Sequence, residues 1–240
     1  MTMKKTLHSI RFPGEGRRYR QARNELLRAE IALRSHIEKV AALRRELPLG
    51  GAIDQEYLFE EGVADLGDRS AVRQVRMCEL FESGKDSLIL YSFMYGPSMQ
   101  QPCPMCTSML DGLHGNILHA SQRVNFAVAA KSPIQRIREF ARERGWIQFR
   151  LLSSANSTYN LDYQGETANG EQIPALNVFV RRGEKIFHFY STELLFVGPE
   201  KGQNARHVDL LWPLWNLFDL TPEGRGIDWY PKLTYAGLGG

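Results

Sequence analysis

The sequence predicts an α/β protein with a central mixed sheet flanked by helices, preceded by a long N-terminal helix. Apolar strand-like runs alternate with helical stretches between residues 87 and 152, and this β-α-β-α-β order is typical of parallel strands joined by right-handed crossovers. A hairpin pattern over residues 175–191 adds antiparallel strands. Residues 19–47 contain no helix breaker, which indicates one uninterrupted helix.

The predicted N-terminal helix runs from Tyr19 to Leu47 and ends before Pro48. An apolar residue recurs every seven positions along it, at Leu26, Leu33, Val40 and Leu47. At 1.5 Å per residue the helix is about 40 Å long, which is longer than one domain usually needs. It either packs along the domain or pairs with a second copy, and we predict a homodimer through residues 19–47. The predicted units are therefore an N-terminal arm and helix, 1–50, and a main domain with a C-terminal extension, 51–240.

The composition is that of an ordinary globular protein, with 240 residues, 43% hydrophobic and 24% charged. No apolar stretch is long enough for a membrane span, so we expect no membrane association. Lys4 and Lys5 are not followed by the apolar core of a secretory signal. Three cysteines are too few for a disulfide scaffold. These features predict a cytoplasmic protein.

The net charge of +3 divides unevenly along the chain. Residues 1–50 carry +7 and the remainder carries −4. Basic arms can bind nucleic acid, but here the arginines are spread around a helix and no nucleic-acid-reading motif follows. We therefore predict a solvated helix face and no nucleic-acid binding.

The elements of the main domain are predicted in order along the chain. A short strand over Tyr57–Phe59 and an extended segment over Ala71–Phe81 come first, and Cys78 within the latter is typical of a small core residue. The central unit comprises a strand near 88–95, a helix from Cys103 to His119, a strand over 123–130, a helix over 134–144 that ends at Gly145, and an apolar run over 146–152. A polar loop over 153–173 precedes the hairpin, and an apolar stretch over 208–218, interrupted by Pro213, is a possible helix.

Cys103 and Cys106 open the central helix directly after a buried strand and a short loop. The first turn of a helix has unpaired N–H groups and the positive end of the dipole, so it favours an anion. A cysteine there loses its proton more readily. A second cysteine one turn on is close enough to resolve a mixed disulfide. The pair predicts redox chemistry, although Cys-x-x-Cys alone is a weak motif.

Two segments together resemble the thioredoxin fold. One is the Cys-Pro-Met-Cys after a buried strand, and the other is Ile173-Pro174-Ala175-Leu176 before an apolar strand. In thioredoxins the second segment carries a cis proline packed against the active-site disulfide. The resemblance covers about residues 55–195 and implies a thiol–disulfide oxidoreductase. Cys103 is then the attacking thiolate, Cys106 the resolving thiol, and Pro174, if cis, shapes the groove.

Nearly the whole chain is similar to an uncharacterised bacterial thioredoxin-like family, domain of unknown function 899. The shared segments are Cys103–Thr107, Asp111-Gly112, Gly145-Trp146, Asn160–Asp162, the hairpin with Phe187–Thr192, and Asp219–Arg225. This resemblance implies the fold and leaves the substrate open. The implied partners are protein or small-molecule thiols and disulfides. No cofactor is implied beyond a redox-active Cys103–Cys106 disulfide.

The residues around the pair leave alternatives open. The loop before Cys103 resembles that of peroxiredoxins, but Gln100 stands where those proteins have Thr or Ser, so a peroxide reductase is an alternative. A metal-binding, copper-delivery-like or scaffold module is another. A zinc site needs four ligands, and His114 and His119 lie on different faces of one helix. His188 is a conceivable further ligand for copper, but we predict no metal site.

We also predict the residues that line a substrate groove. Tyr95, Met99 and Trp146 are the candidates, together with the loop from Tyr159 to Tyr163, although ordinary core packing is an alternative for each. Asp86 and Asp111 are candidate proton relays, for which a surface or packing role is equally compatible with the sequence.

Overall fold

One mixed sheet of seven strands is found within the part of the chain that the structure describes, residues 7–69, 71–202, 211–223, 226 and 229–235. This computed structural model has the strands β1 Leu58–Gly62, β2 Val72–Arg76, β3 Ser87–Ser92, β4 Asn125–Ala130, β5 Arg150–Ser153, β6 Ala175–Arg182 and β7 Lys185–Ser191. Their order in the sheet is β2-β1-β5-β4-β3-β6-β7. The neighbours β5, β4 and β3 are parallel, whereas the other pairs are antiparallel. The predicted mixed sheet is confirmed.

Five α-helices accompany the strands among the described residues: α1 Arg17–Arg45, α2 Pro104–Ala120, α3 Ile134–Arg144, α4 Tyr159–Asp162 and α5 Pro213–Phe218. Helices α2 and α3 connect the three parallel strands, and β6 with β7 forms the predicted hairpin. This is the thioredoxin-like arrangement, with the cysteine pair at the start of α2. Residues 208–210 of the predicted 208–218 helix and Arg225 lie outside the described residues.

Helix α3 illustrates how local signals set an element. Its bounds are those predicted, and Gly145 ends it with a φ of 70°, a left-handed conformation that glycine adopts without steric cost. Ile134, Ile137 and Ala141 are buried on one face, at the spacing of a helix that packs on a sheet.

The strand β3 separates two apolar clusters and so orients the site. Successive side chains of a strand point to opposite faces. Leu88 and Leu90 therefore join the cluster around Phe59 and Phe179. Tyr91 joins the other cluster, which contains Cys106 and the buried residues of α2. Tyr91 thus lies on the side of the sheet where the cysteines are.

The chain divides between Pro48 and Leu49 into two units. The first contains α1, which has no buried residue, and its apolar stripe includes Leu33 with 59% of its surface exposed. No helix among the described residues combines the length and the apolar character needed to cross a bilayer.

Dimer formation through residues 19–47 stays a prediction. If two copies pair along this stripe, Leu33→Glu is expected to shift the protein from dimer to monomer in sedimentation equilibrium, because it places charges in an apolar seam. Ser35→Glu, about 200° around the helix from Leu33, is the matched control and leaves the dimer intact. A wild-type protein that is monomeric at tens of micromolar contradicts the prediction.

Candidate active site

Cys103 occupies the N-cap of α2. Its backbone is extended, with φ −61° and ψ 124°, and Pro104 takes the first helical position, where the missing N–H is no loss. The Cys103 amide donates to the carbonyl of Met94 at 3.0 Å, and its own carbonyl accepts from the amide of Thr107 at 3.0 Å. The residue is therefore fixed between the end of β3 and the first turn of α2.

The sulfur of Cys103 is surrounded by hydrogen-bond donors. The largest effect is a hydrogen bond from the Cys106 thiol, which lowers the pKa of Cys103 to about 6 from an ordinary value of 9.0. The backbone N–H groups of Cys106 and Met105 and the hydroxyl of Tyr230 also lower the pKa of Cys103, whereas burial raises it. Cys103 is therefore largely a thiolate at neutral pH.

Cys106 is the opposite kind of thiol. Its hydrogen bond to Cys103, its burial and the negative charge on Cys103 raise the pKa of Cys106. Only 4% of its surface is exposed. The Tyr91 hydroxyl and the Met94 N–H donate to its sulfur and act in the other direction. Cys106 is a protonated thiol next to an accessible thiolate, which is the arrangement of a nucleophile and its resolving partner.

The loop before Cys103 is held by Arg136 of α3. The guanidinium donates to the carbonyls of Pro97 and Met99, at 3.1 and 2.6 Å. It also lies over the ring of Tyr95, 4.7 Å from the centroid. These contacts tie the loop to α3, so that the entry to the N-cap has a defined conformation.

A cavity of about 210 Å³ lies beside the two sulfurs, and we call it the sulfur cavity. Its lining is Tyr91, Met94, Cys103, Met105, Cys106, Met109, Pro174, Leu195, Trp212 and Tyr230. These residues come from β3, α2, the start of β6, the turn after β7, the approach to α5 and the C-terminal segment. The described lining includes no charged side chain apart from the Cys103 thiolate.

The C-terminal segment 229–235 brings Tyr230 to Cys103. Trp229 packs edge-on against Trp215 and Phe218, with ring centroids 5.7 and 5.1 Å apart. On the other side of Tyr230, the carbonyl of Leu233 accepts from Arg144 at 2.8 Å. Burial, the charge on Cys103 and the hydrogen bond to its sulfur raise the pKa of Tyr230 to about 12, so its hydroxyl stays a donor. Tyr230 is thus held between two anchored residues.

The family described as "Bacterial protein of unknown function (DUF899)" matches residues 11–235. The chain belongs to that family. Its expected membership is confirmed. A comparison with curated proteins gave no match.

Several solved structures are similar to the chain. Enterococcus faecalis AhpC has 10% identity and a TM-score of 0.43, over 75% of this chain and 98% of that one. Plasmodium yoelii thioredoxin peroxidase I has 13% identity and a TM-score of 0.44, over 77% and 100%. Mycobacterium tuberculosis AhpC has 10% identity and a TM-score of 0.43, over 74% and 97%. At these identities none of them assigns a reaction to this chain.

Pro174 lines the sulfur cavity as expected, but the expected cis bond is wrong. The described residues contain no cis peptide bond. The chain reaches β6 in an extended path, in which the Ile173 amide donates to Gly165 at 2.9 Å and Ala175 pairs with Ser92. A trans bond, the lower-energy isomer, accommodates this path.

The three residues expected to line a groove do not line the sulfur cavity. Trp146 is 1% exposed, packs against Phe93, and donates its indole N–H to Asp111 at 2.8 Å. Tyr95 is buried beneath Arg136, and the sulfur of Met99 accepts from the Gly96 amide at 3.2 Å. All three side chains pack in the core or in the loop before Cys103, which agrees with the alternative of ordinary packing.

The other candidates also lie away from the sulfurs. Tyr159 is fully buried in the second apolar cluster. Asp111 pairs with Arg144, and Asp86 with Arg181, so neither faces the cysteines as a proton relay. His188 contacts Asn177, 3.3 Å away, and does not line the cavity. Within the described ranges, no three His, Cys, Asp or Glu side chains gather as a metal site.

The donor role of Tyr230 leads to a first prediction about the site. Tyr230→Phe is expected to raise the pKa of Cys103 by up to about one unit, since it removes one hydrogen bond to a charged sulfur. The expected rise in the pKa of Cys103 is smaller than this limit because Tyr230 is 50% exposed, and water weakens its hydrogen bond to the sulfur. The measurement is the pH dependence of Cys103 alkylation.

Tyr235→Phe is the matched control for this substitution. It alters the same segment, where the Tyr235 hydroxyl accepts from the Lys232 amide at 3.1 Å, but it removes no donor to the sulfur that the structure shows. An equal shift in both variants would assign the effect to loosening of the segment, and an unchanged midpoint in Tyr230→Phe would contradict the donor role.

Proposed function

We propose that the protein is a thiol–disulfide oxidoreductase in which Cys103 is the nucleophile and Cys106 the resolving thiol. The observation that supports this most strongly is the position of the Cys103 sulfur at the N-cap of α2. There the Cys106 thiol, two backbone N–H groups of the first turn and the Tyr230 hydroxyl lower its pKa to about 6. Such a sulfur is a stabilised thiolate, the form that attacks disulfides.

The two steps follow from the protonation states of the pair. The Cys103 thiolate attacks one sulfur of a substrate disulfide R–S–S–R, which forms a Cys103–S–S–R bond and releases RS⁻. The Cys106 thiol then gives up its proton and attacks the Cys103 sulfur. A Cys103–Cys106 disulfide forms, and the second RS⁻ leaves and takes up the proton. The substrate gains two electrons and the protein loses two. An external dithiol returns the protein to its reduced form.

The direction of electron flow follows from the same hydrogen bonds. Because they stabilise the thiolate, they favour the reduced pair over the disulfide. We therefore infer that the Cys103–Cys106 disulfide is more oxidising than the thioredoxin disulfide, whose reduction potential is about −270 mV. Surroundings more reducing than the pair itself keep it in the dithiol form, which reduces substrate disulfides, and less reducing surroundings make it an oxidant of partner dithiols.

The experiment is an equilibrium titration of the purified protein in dithiothreitol redox buffers, read by mass spectrometry and by tryptophan fluorescence. The expected result is one two-electron transition that links Cys103 to Cys106. Insulin-type disulfide reduction with dithiothreitol should be faster with the protein than without it. Absence of the Cys103–Cys106 disulfide under fully oxidising buffers, or no acceleration of reduction, overturns the proposal.

A peroxide reductase would use the same nucleophile. The Cys103 thiolate would attack one oxygen of the peroxide, which breaks the O–O bond, releases hydroxide and leaves a sulfenic acid, and Cys106 would condense with it and release water. No observation among the described residues favours this reaction over disulfide exchange, because the sulfur cavity holds no cation to polarise a peroxide. Consumption of hydrogen peroxide faster than disulfide exchange would establish this alternative.

The partners and the cellular location of the protein are also proposals. Protein or small-molecule thiols and disulfides are the proposed partners, in the cytoplasm. The metal-binding or scaffold alternative predicts metal that copurifies with the protein and is lost when both thiols are replaced.

A further inference from the structure

The chemical character of the sulfur cavity points to a class of substrate. The cavity adjoins both thiols, so a disulfide attacked by Cys103 places one of its two arms there. Among the described lining residues, Met94, Met105, Met109 and Leu195 present apolar side chains. None of the lining residues except the nucleophile itself carries a charge.

A charged substrate arm is disfavoured in this cavity for two reasons. It would lose its hydration without meeting an ionic partner. An anionic arm would also be repelled by the Cys103 thiolate, and charge repulsion is stronger where water is excluded. An apolar arm instead gains by leaving water. The cavity therefore favours neutral, apolar arms.

The volume limits the size of that arm. A cavity of about 150 Å³ in another protein accepts benzene, and the sulfur cavity has about 210 Å³. It thus accepts one substituted ring or a short branched alkyl group. A peptide segment with several side chains would extend beyond it, so a protein disulfide such as that of insulin places only one side chain in the cavity and reacts more slowly than a small disulfide that fills it.

We propose that the sulfur cavity is a specificity pocket for one neutral, apolar arm of a small disulfide. This proposal rests on the proposed oxidoreductase function and names its substrate class: a low-molecular-weight disulfide with uncharged, ring-sized arms. Anionic disulfides react poorly at this site.

Two aromatic disulfides test the proposal. 4,4′-Dithiodipyridine is neutral at pH 7, whereas 5,5′-dithiobis(2-nitrobenzoate) is a dianion. The reduced protein reacts with each in stopped flow, in a Cys78→Ser background that removes the exposed third thiol. The ratio of the two rate constants is divided by the same ratio for N-acetylcysteine amide. We expect the protein to favour the neutral disulfide at least tenfold after this correction.

Variants locate the selectivity in the cavity. Leu195→Lys, in the lining, is expected to remove most of the preference, whereas Leu194→Lys, whose side chain is 58% exposed and absent from the lining, leaves it unchanged.

The outcomes separate the two proposals. If neither disulfide oxidises Cys103 and Cys106, the oxidoreductase function itself is wrong. If both react but the corrected ratio is near one, or if Leu194→Lys and Leu195→Lys change it equally, the specificity pocket is overturned and the oxidoreductase function stands.

Discussion

Replacing Cys103 with serine is expected to abolish dithiol-dependent disulfide reduction, with a loss of at least about a thousandfold. A serine hydroxyl at the N-cap keeps the hydrogen bonds of α2, so the fold is retained. It does not ionise near neutral pH and cannot attack a disulfide. The measurement is the initial rate of insulin-type reduction, with circular dichroism as the check on folding.

Cys78→Ser is the matched control for this substitution. Cys78 is exposed and lies in the 3₁₀ turn after β2, outside the sulfur cavity. Its replacement leaves the rate within about a factor of two of the wild type. Comparable losses in both variants, or a folded Cys103→Ser protein with wild-type activity, would show that Cys103 is not the nucleophile.

Cys106→Ser is expected to stop the reaction halfway. The serine hydroxyl still donates to the Cys103 sulfur, so the first attack proceeds at a similar rate. The second step is lost, and a mixed disulfide with the substrate accumulates on Cys103. Mass spectrometry should detect one equivalent of adduct, and turnover falls by at least about a hundredfold.

Cys106→Ala separates resolution from activation. Alanine removes the hydrogen bond that contributes most to the low pKa of Cys103. Its adduct should therefore form more slowly than that of Cys106→Ser at pH 6, and the difference should shrink at pH 9. Equal rates at both pH values would contradict the activating role of the Cys106 thiol. An adduct on Cys106 in the Cys103→Ser protein at a wild-type rate would reverse the assignment.

Much of the fold was accessible from local signals. The helix from Ile134 to Arg144 and the hairpin β6–β7 follow from apolar periodicity, Gly145 and the turn at Gly183, which are interactions between near neighbours in sequence. The position of Cys103 at a helix start likewise follows from the strand, loop and Pro104 around it. The position of Tyr91 on the cysteine side of the sheet could also be predicted, because side chains alternate along β3 and that of Tyr91 points to the face opposite Leu90.

The remaining features depend on distant contacts. Tyr230 reaches Cys103 only because Trp229 packs on α5 and Arg144 holds the carbonyl of Leu233. No pattern near Tyr230 indicates this fold-back. Leu195 and Trp212 join the cavity for similar reasons. Tyr95 and Trp146 do not line the sulfur cavity, because an aromatic residue near a motif in sequence can still pack inward.

The isomer of Pro174 shows a different limit. Its position beside the sulfurs was expected from the thioredoxin resemblance, and the structure places it there. The cis bond was carried over from the same resemblance, but the path from Gly165 into β6 is accommodated by a trans bond. A motif shared with a family therefore predicts where a residue such as Pro174 lies better than it predicts the conformation of its peptide bond.

The proposed function depends most on the ionisation of Cys103. The direct measurement is the rate at which iodoacetamide alkylates each cysteine of the reduced wild-type protein between pH 4.5 and 9.5, read by peptide mass spectrometry. A pKa of about 6 for Cys103 predicts a rate that rises about tenfold from pH 5 to pH 7 and then levels off, while Cys106 reacts slowly throughout. If instead Cys103 and Cys106 react alike and both rates keep rising to pH 9, the sulfur at the start of α2 is an ordinary thiol and the proposed function fails.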